Sequence, residues 1–340
     1  MRIEDALGRL FEGGSLSQAE TGAVFRRVMS GEATPAQIGG LLAALRVKGE
    51  TAEEVAGAAQ TMREFATRVE VDVPNLIDTC GTGGSGVKLF NISTAAAFAA
   101  AAAGAHVAKH GNRKMTSFSG SADVLEAAGA NIAITPAQVA HCIGEVGVGF
   151  MFAQAHHGAT RHAAPVRREL GAPTLMNVLG PLTNPAGAKR QVMGVFSARW
   201  QRTLAEVARL LGGEHVLVVH SNGLDEITLD GPSHICELKA GVIAEYDIVP
   251  EEFGIASRSV EPLRADSVEA SLSLFRAALT QPDSAAADVV ALNAGAGIYA
   301  AGLATSFANG VTMAQDAIAA GLAKERLDEF VRITSLMGEP

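Results

Sequence analysis

Aromatic residues are scarce: 13 Phe, two Tyr and one Trp in 340 residues. With so few large anchors the core must close through small side chains, and 62 alanines and 37 glycines are available for that. Cysteine is nearly absent as well. Cys80, Cys142 and Cys236 are odd in number, far apart and form no CxxC pair. That excludes a disulfide framework or a zinc finger and fits a reducing, cytoplasmic setting. The N-terminal MRIEDALGRLFEGG places charges in its first turns and has no apolar h-region, so no secretory signal is read there. One 20-residue stretch, Leu89 to Ala108, lacks any charge. Its length would suit a membrane span, but Asn91, Ser93, Thr94, Gly104 and His106 interrupt it, and a buried helix followed by a strand is expected instead.

Positive charge is short overall, 27 Lys and Arg against 36 Asp and Glu, for a net charge of −9. This disfavours a general nucleic-acid binder. Acids, in turn, are missing locally. None lies between Asp78 and Asp123, and from Thr79 to Ala205 eleven basic residues face four acids. That stretch carries +7 and leaves −16 for the remainder. Its basic residues are interleaved with Gly, Asn, Ser and Thr rather than set on a periodic helix face, the arrangement of a site for a small, highly charged anion.

The first 70 residues read as helices. Ser17 with Glu20, Thr34 with Gln37 and Thr51 with Glu54 each set a hydroxyl three residues before a Glu or Gln, the capping-box pattern. From about Val71 short apolar runs alternate with helical stretches. Strands are expected at 76–80, 106–108, 131–134, 150–152, 191–196 and 215–220, helix starts near Ser93, Ser121, Thr135, Thr160 and Trp200, and a hairpin over 227–249. The last 70 residues return to helix. The alternation predicts a mostly parallel sheet covered by helices.

The run Gly81-Thr-Gly-Gly-Ser-Gly86 formally matches G-x-G-x-x-G. It meets neither the dinucleotide pattern, since no acid follows before Asp123, nor the P-loop, since Val87 and Lys88 follow Gly86. What remains is a loop whose amides can turn toward one anion, or a plain structural turn. Asn91-Ile-Ser-Thr94 adds donors at a helix start, where phosphate is favoured. Lys109-His-Gly-Asn-Arg-Lys-Met-Thr-Ser117 follows a strand with three cations and several hydroxyl or amide donors, and Ser119 and Ser121 come next. Asp225-Glu226, just past another strand, is either a solvated pair or a Mg²⁺ site bridging substrate phosphates. His156, His157 and His162 match no zinc spacing and are read as pocket lining. An Arg among 161, 167 and 168 could fork onto a substrate carboxylate.

Taken together, GTGG (81–84), NIST (91–94), KHGNR (109–113), SGSADVLEA (119–127), APVRRELG (164–171), LGPLTNPAGA (179–188) and GLDE (223–226) resemble the anthranilate phosphoribosyltransferases, over nearly the whole chain and in that family's order. The resemblance implies an α/β fold of the nucleoside phosphorylase/phosphoribosyltransferase kind. A small helical domain would span 1–70, completed by a segment near 167–190, and a larger α/β domain with a mostly parallel sheet would span 71–340. It implies a homodimer that transfers phosphoribose from phosphoribosyl pyrophosphate (PRPP) to the amine of anthranilate in tryptophan biosynthesis, with Mg²⁺.

Carried onto matching positions, the resemblance places PRPP at Gly81, Gly84, Ser85, Leu89, Asn91, Ile92, Ser93, Thr94, Lys109, Gly111, Asn112, Arg113, Lys114, Met115, Thr116, Ser117 and Ser121. Anthranilate would lie near Gly81, Asn112 and Arg167, with His110 and His157 lining its channel. Magnesium would sit at Ser93, Asp225 and Glu226, and Lys109 and Arg167 would be the catalytic residues. Three positions depart from the family pattern: Ser85 replaces an Asp, Leu89 a Thr, and Gly158 a Pro. Related folds leave two other readings, a pyrimidine nucleoside phosphorylase and a non-catalytic nucleic-acid-binding paralogue.

Overall fold

The computed structural model describes residues 1–84, 86–113 and 118–338. Helices α1 (Ile3–Phe11), α2 (Gln18–Met29), α3 (Pro35–Lys48) and α4 (Ala52–Phe65) come first. All three expected capping boxes form, with Ser17, Thr34 and Thr51 each accepting from the third helical amide while Glu20, Gln37 and Glu54 reach back. Each such cap satisfies two amides that the helix itself cannot pair.

The alternating part follows as β1 (Leu76–Gly81), α5 (Ile92–Ala102), β2 (His106–Gly111), α6 (Ser121–Ala128), α7 (Pro136–Val146), β3 (Val148–Phe152), α8 (Ala153–His156), α9 (Ala164–Leu170), α10 (Met176–Leu179), β4 (Arg190–Gly194), α11 (Gln201–Leu210) and β5 (His215–His220). The hairpin β6 (Ser233–Lys239) and β7 (Val242–Ile248) turns through Ala240 and Gly241, both at positive φ (49° and 81°). Helices α12 (Val268–Thr280), α13 (Ala285–Ala301), α14 (Phe307–Ala319) and α15 (Leu322–Leu336) complete the chain.

Among the described residues one seven-stranded sheet forms, in the order β3-β2-β1-β4-β5-β6-β7. The first five positions pair in parallel, while β6 and β7 add antiparallel at one edge. The chain runs outward from β1 to β3 and then crosses back to β4 on the other side of β1. Strand order therefore reverses between β1 and β4, and in open α/β sheets the crevice at such a point holds the ligand.

Two apolar cores use opposite faces of this sheet. One gathers Ile77, Val192, Leu217, Val219 and Ile235 with the alanine-rich α5 and α13. The other gathers Met193, Val195, Val216, Val218 and Cys236 with α11, with Val166, Met176, Val178 and Leu179, and with helices α1 to α4. Neighbouring residues on β4 and β5 thus belong to different cores, as the two-residue period of a strand requires.

One expected strand is absent. Residues 131–134 bury Ile132 and Ile134 at alternate positions, yet the segment pairs with no strand among the described residues. Asn131 accepts from the Ala133 amide at 2.9 Å and donates to the Met337 carbonyl at 3.0 Å, while its own amide reaches Thr334. The side-chain turn and the C-terminal helix take the bonds that a neighbouring strand would have taken.

Candidate functional site

The polar residues of the switch point start on β1 and β4. Gly81 and Gly194 are partners at the ends of these strands, and the loop after β5 lies directly over both. A Cβ at Gly194 would stand 1.7 Å from the Asp225 carbonyl oxygen, and one at Gly81 would stand 2.5 Å from Asp225 Oδ2. Only glycine permits that approach, and it puts Asp225 against the glycine loop. The Gly83 amide donates to Asp225 Oδ2 at 2.9 Å. Beside it, the Ser93 amide at the start of α5 donates to Glu226 Oε1 at 3.3 Å. The Glu226 carboxyl is pushed up to about 8 by burial and by the Asp225 charge, against the pull of Lys109 and Ser93.

Lys109 enters from β2, 3% exposed, and its ammonium donates to the Thr79 carbonyl and to Ser93 Oγ. Under it lies a carboxylate that sequence reading passed over as a strand residue. Asp78 is fully buried, its Oδ1 accepting from the His110 amide at 3.2 Å. Burial raises its pKa and the Lys109 charge pulls it back. Gln191 donates to Cys80 Sγ at 3.1 Å and to the Pro181 carbonyl at 2.7 Å, and Asn184 donates to the Ala108 carbonyl at 2.8 Å. These amides tie β1, β2 and β4 together beneath the site.

Several expected residues converge here and several do not. Asn91 is the hub of the second loop: its Oδ1 accepts from Ser119 at 2.6 Å and from Ser271 of α12 at 2.8 Å. Ser121 opens α6 and donates to the Asn112 carbonyl at 3.3 Å. Gly111 leaves no room for a side chain, since a Cβ would stand 2.1 Å from Ser121 Oγ. Gly84, at φ 86°, adopts the left-handed conformation that favours glycine. Leu89 half-buries against the core and bridges to Arg264 through its backbone. Ile92 and Thr94 are turned inward, and their amides bond to the Phe90 and Asn91 carbonyls, so neither offers a free donor to a ligand through its N–H. Arg113 is drawn away from the site to α6, paired with Glu126 and, at 3.4 Å, Asp123. The acid-poor count missed this because the two acids lie just beyond the gap. Ser85 and the residues Lys114, Met115, Thr116 and Ser117 lie outside the described residues.

A third group lies after β3. His110 and His157 are buried, with ring centroids 5.0 Å apart, and the Nε2 of each lacks a hydrogen-bond partner among the described residues. Burial and the neighbouring imidazoles push His110 down to about 3, and burial with His156 pushes His157 down to about 4. Arg167 on α9 is half-buried and pairs with no carboxylate among the described residues, and burial lowers its pKa. Gly158 opens a short 3₁₀ turn, Gly158–His162, directly after His157.

The imidazole pair has a measurable consequence. An unfolded imidazole ionises near 6.5, above both folded values, so the unfolded chain takes up protons first as pH falls. Their contribution is complete above about pH 6.5 and is lost as pH drops toward 4. Relative to a His110→Gln/His157→Gln variant, in which the carboxylate contributions are shared and cancel, the parent is expected to lose about 2–4 kcal/mol more stability in urea between pH 7.5 and pH 5. Equal losses in the two proteins would mean that the imidazoles are hydrated in the folded protein.

Comparison with known proteins agrees with this geometry. Two family profiles match, a glycosyl transferase family helical bundle domain over residues 4–66 and the a/b domain of the same family over residues 73–324. The anthranilate phosphoribosyltransferase of Teredinibacter turnerae is 54% identical over 341 residues, covering 99% of this chain and all of its own. The chain belongs to the anthranilate phosphoribosyltransferase family. A crystal structure of the family member from Thermus thermophilus superposes with a TM-score of 0.92 at 44% identity, covering 97% of this chain and 99% of that one. The Saccharomyces cerevisiae member, solved in complex with PRPP and Mg, shares the fold with a TM-score of 0.88 at 23% identity, over 98% of both chains. Among the described residues, no helix is long and apolar enough to cross a membrane.

Proposed function

We propose that this chain transfers the phosphoribosyl group of PRPP to the amine of anthranilate, giving N-(5′-phosphoribosyl)anthranilate and pyrophosphate. The observation that carries the reading is the Asp225–Glu226 loop seated on Gly81 and Gly194, beside a buried lysine, at the sheet's switch point. An aromatic amine is already a nucleophile, so no Ser or Cys nucleophile is needed. The demands are stabilisation of the departing diphosphate and orientation of the amine toward the anomeric carbon.

Lys109, the Ser93 hydroxyl at the start of α5 and the glycine loop around Gly84 meet the first demand. Mg²⁺ fits beside them: two adjacent carboxylates and the Ser93 hydroxyl are hard oxygen donors, and a carboxyl held as high as about 8 gains from a cation. When bound, Mg²⁺ offsets the charge on the diphosphate oxygens. Arg167 and Asn112 meet the second demand, with His110 and His157 as a neutral wall for the aromatic ring. The assay is pyrophosphate release from PRPP by the full chain, with and without anthranilate and Mg²⁺. Release that ignores anthranilate would overturn the reading, and phosphate-dependent cleavage of a pyrimidine nucleoside would replace it.

The Arg167 guanidinium, which pairs with no carboxylate among the described residues, makes a separate point. Arg167→Ala is expected to raise the KM for anthranilate about ten- to a hundred-fold, the loss of a charge-assisted bond, and to leave that for PRPP nearly unchanged. Equal losses would mark Arg167 as a phosphate ligand.

A homodimer is proposed through α1 and α3. These helices run side by side in parallel, with Gln37 bonded to Glu4 at one end and Lys48 to Ser15 at the other. Phe11 is 69% and Val47 88% exposed on this pair, near the same end. A second copy of the same face would cover them. Light scattering should find two subunits in the parent and one in Phe11→Asp/Val47→Asp; a monomeric parent would refute the proposal.

A further inference from the structure

Helix α13 is apolar along its buried length except at one place. Asn293 is 3% exposed amid Val289, Val290, Leu292 and alanines. An unpaired amide there would cost about 1–3 kcal/mol, so its partners matter. Two of its three bonds come from 66 residues earlier. Its Oδ1 accepts from the Ile227 amide at 3.0 Å, and its Nδ2 donates to the Ile227 carbonyl at 2.9 Å and to the Val289 carbonyl at 2.8 Å. The side chain thereby holds one residue's N–H and C=O together, as a neighbouring strand would.

Ile227 is the residue after the acid pair. On the near side, Ser221 Oγ donates to the Glu226 carbonyl at 2.7 Å, and Ser221 and Leu224 exchange backbone bonds at 3.1 and 2.7 Å. The backbone leaving Glu226 is therefore gripped from two sides by buried side chains, Ser221 being 1% exposed. Apolar packing of Leu224, Ile227 and Leu229 already fixes where the loop enters the core. The polar grips fix something else, the rotation of the peptide from which the Glu226 carboxylate projects toward Ser93.

We propose that Asn293, assisted by Ser221, is a positioning residue for the cation site, setting the orientation of the Asp225 and Glu226 carboxylates. This rests on the reading of that pair as the Mg²⁺ site. An apolar side chain at 293 would leave the Ile227 N–H and C=O unpaired in the core, and the peptide would rotate to find other partners.

The test uses the full chain with Mn²⁺ as the probe, followed by electron paramagnetic resonance at saturating pyrophosphate. Asn293→Leu is expected to weaken Mn²⁺ at least ten-fold and Ser221→Ala about three-fold. Both should raise the Mg²⁺ concentration needed for half-maximal turnover while the KM for anthranilate stays within two-fold, a split that loss of stability alone would not produce. Asp225→Asn/Glu226→Gln runs alongside. If that pair variant loses Mn²⁺ but folded Asn293→Leu and Ser221→Ala bind it as the parent does, the positioning role is refuted and the metal site stands. If the pair variant keeps Mn²⁺, the metal reading fails and the inference with it. Should Asn293→Leu not fold, unchanged binding by Ser221→Ala is sufficient to overturn the proposal.

Discussion

Gly194→Ala is expected to lower kcat/KM at least about a hundred-fold while the protein still folds. The added methyl would lie 1.7 Å from the Asp225 carbonyl oxygen, a backbone atom that no rotamer change can move. A carbon and an oxygen need about 3.2 Å, so β4 and the acid loop must separate by roughly 1.5 Å, and misplacement on the order of 1 Å can cost about a hundred-fold. Most of the strain falls on the loop, because β4 is paired on both sides, with β1 and β5. Steady-state kinetics with a circular-dichroism melt separate the two effects. A variant within three-fold of the parent would show that the acid loop does not have to sit on this strand.

Lys109→Met should abolish measurable turnover and also destabilise the fold by about 1–3 kcal/mol, since it removes a positive charge that offsets buried carboxyls and strands the Thr79 carbonyl it bonds. The carboxyls are Asp78, fully buried, and Glu226, and the Lys109 charge lowers the pKa of each. Adding Asp78→Asn replaces the first of these carboxyls and is expected to recover about half of the lost stability without recovering activity. Urea denaturation of the two single variants and the double variant decides it. Strictly additive losses would show that the lysine and the aspartate do not interact.

Much of this was readable from local pattern. Capping boxes, the βα alternation, the glycine loop and the adjacency of Asp225 and Glu226 are all signals carried within a few residues. What escaped involves partners distant in sequence. Asp78 sits in an otherwise apolar strand and acquires meaning only when β2 brings Lys109 alongside it. Asn184 and Asn293 bond to backbone 76 and 66 residues away, and nothing near either announces the contact. Residues 131–134 bury alternate positions as a strand would, but an edge strand needs a neighbour, and Asn131, Thr334 of α15 and Met337 take the segment's bonds instead. Arg113 belonged to a basic run by position and to Glu126 by geometry.

The sheet serves as a party wall between two cores, and that limits how the chain can be divided. Met193, Val195, Val216 and Val218 lean into the compartment that holds α1 to α4, while Val192, Leu217 and Val219 lean into the other. A fragment lacking the first four helices would present that side of the wall to water, so the helical bundle is not a detachable accessory. The same geometry makes the strands intolerant of slippage. Shifting β5 by one residue would exchange its two sets of valines and leucines between compartments of different shape, so a single error in pairing would disturb both at once.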